Sequence, residues 1–309
     1  MNSQLQGPSR PSSSNLFLKW HGPTAVLAVL VYSGWGALVL LHNHIPIFIL
    51  FVLAGYLTAL HTSLQHESIH ALYAWPRWLQ ALVAYPPLGL VFPYPHYKKL
   101  HIIHHRDARV TDPLDDPESY YVTPDQWKRA GAIGQALLLA NNSLAGRMIL
   151  GPVITVFRLV RQELPKILRL DGKTIQLWLV HAVLIAALFW IVTGVAGMPV
   201  WKYILCFAWP GLMLTLLRSF AEHRSADLPG ERTAIVESGR FMGVLFLYNN
   251  LHVVHHRQPA MPWYQIPGFY QENKLQLLAE NGGYVYRGYG EILSKYLFKP
   301  VMHPIHPGY

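Results

Sequence analysis

The chain has 309 residues, of which 52% are hydrophobic and only 13% are Asp, Glu, Lys or Arg, about half the charged share of soluble domains, which argues against an ordinary soluble enzyme and a disordered chain. The formal charge of +9 comes without a dense basic run or a nucleic-acid-reading motif, so nucleic acid is excluded as a partner and a membrane protein's basic bias is the better reading. The single cysteine, Cys206, excludes an intramolecular disulfide and a thiolate metal cluster.

Residues 1–15 are polar and Pro/Ser-rich, and a disordered tail is expected over 1–20. No small-residue cleavage site follows it, so no cleavable leader is expected. From Gly22 to Gln65 there is no Asp, Glu, Lys or Arg, and His42-Asn43-His44 with Pro46 divides the stretch into spans Thr24–Leu41 and Ile45–Gln65. At about 1.5 Å per residue these reach roughly 27 and 31 Å, enough for a bilayer core of about 30 Å. Leu79–Pro95 holds four prolines and should lie at the interface or against the protein. Gly131–Val156 is amphipathic and ambiguous. A second pair of spans runs from about Ile175 to Leu217 with its turn at Met198–Lys202, whereas Phe241–Val254 is too short to cross. The expected fold is all-α: four transmembrane helices in two hairpins, with a cytoplasmic helical cap. The membrane domain is expected over 21–270 and a C-terminal cytoplasmic tail over 271–309. Two hairpins place the N-terminus, 61–174 and 218–309 on one side with 24 of the 25 Lys and Arg residues, and the positive-inside rule makes that side cytoplasmic.

Seventeen histidines are present, and nine of them form a pattern. His66-Glu67-Ser68-Ile69-His70 is H-x-x-x-H; His101-Ile102-Ile103-His104-His105 and His252-Val253-Val254-His255-His256 are both H-x-x-H-H; His223 stands alone between them. On a helix, residues three and four apart share a face, so each cluster should point its imidazoles in one direction. Neutral imidazole is the commonest protein metal ligand, and nine are too many for one first-row ion but fit two. The remaining eight read as ordinary polar residues, with His61 a partial exception as a partner of the first cluster.

HESIH, HIIHH and HVVHH, in this order and separated by a transmembrane hairpin, resemble the three histidine boxes of the membrane fatty acid desaturase superfamily, which also holds carotenoid ketolases and hydroxylases and alkane hydroxylases. The resemblance covers roughly 20–270. It implies a di-iron centre, O2 as co-substrate, and two electrons spent on unactivated C–H bonds. Its metal ligands would be His66, His70, His101, His104, His105, His252, His255 and His256, with His223 resembling the extra histidine after the last span. HESIH, EHR and NNLHVVHH further resemble bacterial desaturases of the dihydrorhizobitoxine type, which suggests a bacterial inner membrane. Ser219 stands where stearoyl-type enzymes have an Asn that binds one metal through water; Asn249 or Asn250 is the candidate replacement. Glu67, Asp107, Asp112, Asp115, Asp116 and Glu222 are candidates to orient imidazole N–H groups, while the 111–118 run reads equally well as a solvated turn.

The terminal His306-Pro307-Gly308-Tyr309 faintly resembles a haem motif of cytochrome b5 with nothing after it. A separate donor, ferredoxin-like or cytochrome b5-like, is therefore expected. The substrate implied is a fatty acyl or lipid-like chain, with desaturation as the first reading. A hydroxylase or ketolase acting on a lipid, carotenoid or alkane is the runner-up. More remote are an intramembrane zinc protease, because HESIH satisfies H-E-x-x-H, and a metal transporter.

Overall fold

The computed structural model describes residues 16–106 and 109–309; the tail over 1–15 and the candidate Asp107 lie outside them. The described chain is mostly helical. Four helices are long and apolar enough to cross a membrane: α1 (Gly22–Leu40), α2 (Ile47–His70), α6 (Gly172–Val195) and α7 (Val200–Ser219). Between them lie α3 (Tyr94–Arg106), α4 (Pro124–Asn141) and α5 (Leu144–Leu168). After them come β1 (Ile235–Val236), α8 (His252–Arg257), α9 (Ile266–Glu280), β2 (Val285–Tyr286) and α10 (Tyr289–Tyr296).

Three of the four spans begin and end within a few residues of their expected limits. The departure is α2, which continues through the first histidine box to His70. Apolar patterning ends near Gln65, but Leu64, His66, Glu67 and Ser68 are buried, so protein packing carries the helix beyond the stretch that lipid alone would favour.

Helix α2 is the axis of the bundle, packed on α1 and on α7. The α2–α7 crossing is close enough to require glycine on both sides. A Cβ on Gly211 would lie 2.5 Å from Thr58 Cγ2, and one on Gly55 would lie 2.6 Å from Pro210 Cβ. His66 and His70 thus leave the bundle on the same helix that α7 grips, and His223 follows α7 by four residues.

The ambiguous stretch 131–156 becomes the end of α4 and the start of α5, two helices bent by 119°. The bend is built by capping: Asn142 ends α4, and Ser143 Oγ accepts from Gly146 N–H at 3.1 Å to start α5. Thr123 and Gln126 close a reciprocal capping box at the head of α4. Leu79–Pro95 gives only the short helix Arg77–Ala84 and an irregular run into α3, as its prolines require.

The third box is braced from the C-terminal region. β1 pairs in parallel with β2, Ile235 opposite Val285 and Val236 opposite Tyr286. On its other side Ala234 C=O accepts from Val253 N–H at 3.3 Å and Val236 N–H donates to Asn250 C=O at 2.8 Å. Residues 271–309 therefore supply the end of α9, β2, α10 and a final segment whose His306 N–H donates to Val122 C=O at 3.1 Å.

Candidate metal centre

The nine patterned histidines converge in two groups. His66, His70, His101, His105 and His255 offer ligand atoms that all lie within 4.8 Å of one another, and His104, His223, His252 and His256 do the same. None of the eight bystanders joins either group among the described residues. His61 instead meets the Tyr32 hydroxyl at 3.0 Å.

Helix geometry explains the sorting and corrects one expectation. At about 100° per residue, positions i and i+4 diverge by about 40° while i+3 lies about 60° to the other side. The i, i+4 pair of each H-x-x-H-H box therefore faces one group and the i+3 histidine faces the other. His101 and His105 join the first group and His104 crosses to the second; His252 and His256 join the second and His255 crosses to the first. Only the first box points all its imidazoles one way.

All nine rings turn Nε2 inward. The Nε2 of His105 lies 3.0 Å from that of His101 and 2.8 Å from that of His255, and the Nε2 atoms of His223 and His252 are 3.0 Å apart. The Nε2 atoms of His66, His70, His104 and His256 are buried without a hydrogen-bond partner. Buried polar atoms left unmatched cost free energy, and lone pairs aimed at one another repel. A cation shared among them removes both costs. Two imidazoles bound at right angles through bonds of about 2.1 Å stand about 3.0 Å apart, the spacing found here. The donor set, nine imidazoles and no thiolate, fits first-row metals such as iron.

Nδ1, on the back of the ring, is hydrogen-bonded in four cases and faces a carboxylate in a fifth. His101 Nδ1–H donates to Glu118 at 2.8 Å and His104 Nδ1–H to Asp116 at 2.9 Å. His223 Nδ1–H donates to Arg232 C=O at 3.3 Å, and His66 Nδ1 meets the Asn249 amide at 3.0 Å. His252 Nδ1 lies 3.5 Å from Glu222 Oε1, which Arg218 holds at 2.8 Å. Where Nδ1–H donates, to Glu118, Asp116 and the Arg232 carbonyl, the bond fixes the tautomer that leaves the Nε2 lone pair free.

Electrostatics favour the neutral ligand form at most positions. Burial drives His223, His252, His255 and His256 well below the usual imidazole range, helped by neighbouring imidazoles. Burial and then His101 lower His105 to about 2. His104 is the exception: burial opposes its charge, but Glu118 and Asp116 prevail and raise it to about 9. Burial raises Glu222, whereas His104 and His101 outweigh burial at Glu118 and hold it below the usual carboxylate range.

The other candidates divide. Of the 111–118 run, Asp116 and Glu118 reach imidazoles, while Asp112 caps the turn and takes the Tyr309 hydroxyl, and Asp115 pairs with Arg109. Glu118 had no sequence signal beyond its place in an acidic run after the second box. Glu67 is buried and accepts from Trp263 N–H at 3.2 Å, tying α2 to the loop after α8. Asn249 serves the five-histidine group through His66, and Asn250 donates to Val236 C=O at 2.7 Å. Ser219 meets the Tyr120 hydroxyl at 2.9 Å, a partner that spacing could not reveal; Arg147, buried behind it, sits 3.4 Å from the centre of the Tyr120 ring.

A cavity of about 560 Å³ adjoins the second group. His223, Glu222, Arg218 and Glu118 line one part of it, and Thr58, Leu212 and Leu216 belong to its bundle-side wall. Its size falls in the range of small-molecule sites, about 300–1,000 Å³.

No curated protein matches the chain. The sequence model of the fatty acid desaturase family matches residues 43–288, well over half of the 309. That match spans every histidine of both groups, and the chain belongs to the fatty acid desaturase family.

Proposed function

We propose that this protein is an O2-dependent di-iron oxidoreductase that introduces a double bond into a fatty acyl or lipid-like chain. The observation that carries the reading is the convergence of five and four inward-facing imidazoles beside a cavity, in a member of the desaturase family. His66, His70, His101, His105 and His255 would hold one iron, and His104, His223, His252 and His256 the other. Two iron ions bound there supply the O2-activating chemistry that removes hydrogen from an unactivated methylene.

The chain's own residues set the conditions. Glu118 and Asp116 hold ring N–H groups so that Nε2 of His101 and His104 faces inward. Glu222, paired with Arg218, places a carboxylate 3.5 Å from the Nδ1 side of His252. Leu212, Leu216 and Leu159 give the cavity apolar walls that lay a chain alongside His223 and keep bulk water away. Overall, O2 leaves as two waters. Two electrons and two protons come from the substrate's C–H bonds, two electrons from a separate ferredoxin-like or cytochrome b5-like donor, and two protons from water. The basic excess is suited to steering an acidic donor. The four spans form two hairpins in a bacterial inner membrane, with the histidine groups in a cap on the cytoplasmic side.

The test has two parts. Purified protein should contain close to two iron per chain, and His256→Ala should lose iron from the second group. Expressed in a host with profiled lipids, the wild type should produce new unsaturated chains and His256→Ala should not. Hydroxylated or ketolated products would replace desaturation by the runner-up chemistry, and one zinc with no iron would overturn the di-iron reading.

A further inference from the structure

The lining of the cavity is uneven in exposure. Its lining residues are buried or half-buried with three exceptions, Arg158, Arg161 and Gln162, and all three stand on α5. Those side chains mark the mouth. His223, Glu222 and Arg218 line the cavity beside the histidine groups.

Two arginines at a mouth call for an explanation because their charges are not neutralised by a neighbouring acid. Arg218 is held by Glu222, and nearby Lys166 by Glu163. Arg158 donates to Ser119 C=O at 3.2 Å, which fixes it on the rim. Among the described residues no carboxylate pairs with Arg158 or Arg161.

The mouth also has a level. Ile149, Val153, Phe157, Val160, Leu164 and Leu168 of α5 are exposed and recur at spacings of three and four, so they form one stripe. At about 100° per residue, Arg161 borders this stripe and Arg158 lies next to it on the polar side. The span α6 begins four residues after α5 ends. An exposed apolar stripe edged by arginine and running into a span is the pattern of a helix at the membrane surface.

We propose that the cavity admits an amphiphile with one anionic head group: the tail enters toward His223, and the head stays at the mouth between Arg158 and Arg161. This deepens the desaturase reading and rests on it, since it takes the cavity as the substrate site. Guanidinium suits a carboxylate and a phosphate alike; both present acceptor oxygens to its fork. Neutral chains, among them alkanes and carotenoids, gain nothing from the two arginines and bind less tightly.

The test reads binding without turnover. Iron-loaded protein in nonionic detergent, with no electron donor, is titrated with labelled hexadecanoate and competed with hexadecyl phosphate and 1-hexadecanol. In the wild type at least one anion should bind tenfold or more tightly than the alcohol, and which anion wins separates a free acid from a phosphorylated carrier. Arg158→Ala with Arg161→Ala should bring the anions down to the alcohol's affinity and leave the alcohol unchanged. The paired Lys substitutions should restore part of the preference. Equal binding of all three by the wild type overturns the proposal and leaves the cavity reading standing. The proposal also falls if the double Ala variant keeps the preference and loses only affinity for anionic vesicles, because the arginines then anchor α5 to lipid. Saturable binding of none of the three overturns the cavity as a substrate site and the proposal with it. Wild-type melting temperature and iron content of the double variant establish that it is folded.

Discussion

Asp116 is the most demanding single test of the second histidine group. Its Oδ1 accepts from His104 Nδ1–H at 2.9 Å and from Glu118 N–H at 2.9 Å, and its Oδ2 accepts from Thr111 N–H at 2.8 Å. An asparagine has the same shape but only one accepting end. Kept toward His104, it turns its NH2 against the Thr111 N–H, donor facing donor, at a residue only 2% exposed. One unsatisfied buried N–H costs about 1–3 kcal/mol of stability. Thr111 is also held at φ 81°, a conformation that β-branched residues rarely adopt, so the lost bond releases local strain as well. Turned the other way, the amide faces His104 with donors, which favours the tautomer that carries its proton on Nε2 and cannot ligate. Either way, loss of a carboxylate that orients a ligand weakens metal binding by about 10–100-fold, or about 1.4–2.7 kcal/mol. Competition between the purified Asp116→Asn protein and a chelator for Fe2+ measures this directly. Asp115→Asn serves as the control, since Asp115 is exposed and pairs with Arg109. Wild-type affinity in Asp116→Asn, or an equal loss in the control, would refute the reasoning.

Three further outcomes follow from the packing and the charges. Gly211→Val forces a branched side chain into the Thr58 contact at the α2–α7 crossing; overpacking there should cost about 1–3 kcal/mol, read as a lower melting temperature together with loss of iron. Glu237 accepts from Tyr270 Oη–H at 2.6 Å and from Lys274 Nζ at 2.5 Å, and Lys274 first, then Tyr270, holds its carboxyl below the usual range. A depressed folded-state pKa stabilises above the unfolded value of about 4.3 and ceases to do so as the pH falls through the folded value. Glu237→Gln should therefore melt below the wild type at pH 7 and converge with it in acid; a constant gap would contradict the pairing. Removal of iron by chelation should lower the melting temperature, and Fe2+ should restore it, each ion contributing about 4 kcal/mol at a thousandfold excess over its Kd. An unchanged melt on chelation would mean that the imidazoles need no cation.

Much of the site was legible because its signals are local. An uncharged run from Gly22 to Gln65 is long enough to cross a bilayer, and three boxes at helical spacing gather imidazoles in the number and pattern that metal ions need. What spacing could not carry was convergence from a distance. That His104 leaves its own box for His223, and His255 leaves its own for His66, depends on where α3 and α8 lie relative to α2. Glu118 and Asp116 could not be told from Asp112 and Asp115, because a turn decides which carboxylates face inward. The extension of α2 to His70 was hidden for a related reason: patterning reads lipid and core alike, and here the core takes over where the lipid ends.

Glu118 has one further consequence. It lines the cavity and also bonds His101 of the five-histidine group, while His223 of the four-histidine group lines the same cavity. A molecule seated there displaces water from a side chain of each group in a single event. On the proposed reading, with the cavity as the substrate site, both halves of the centre would register an occupant together, which would couple the use of O2 to the arrival of substrate.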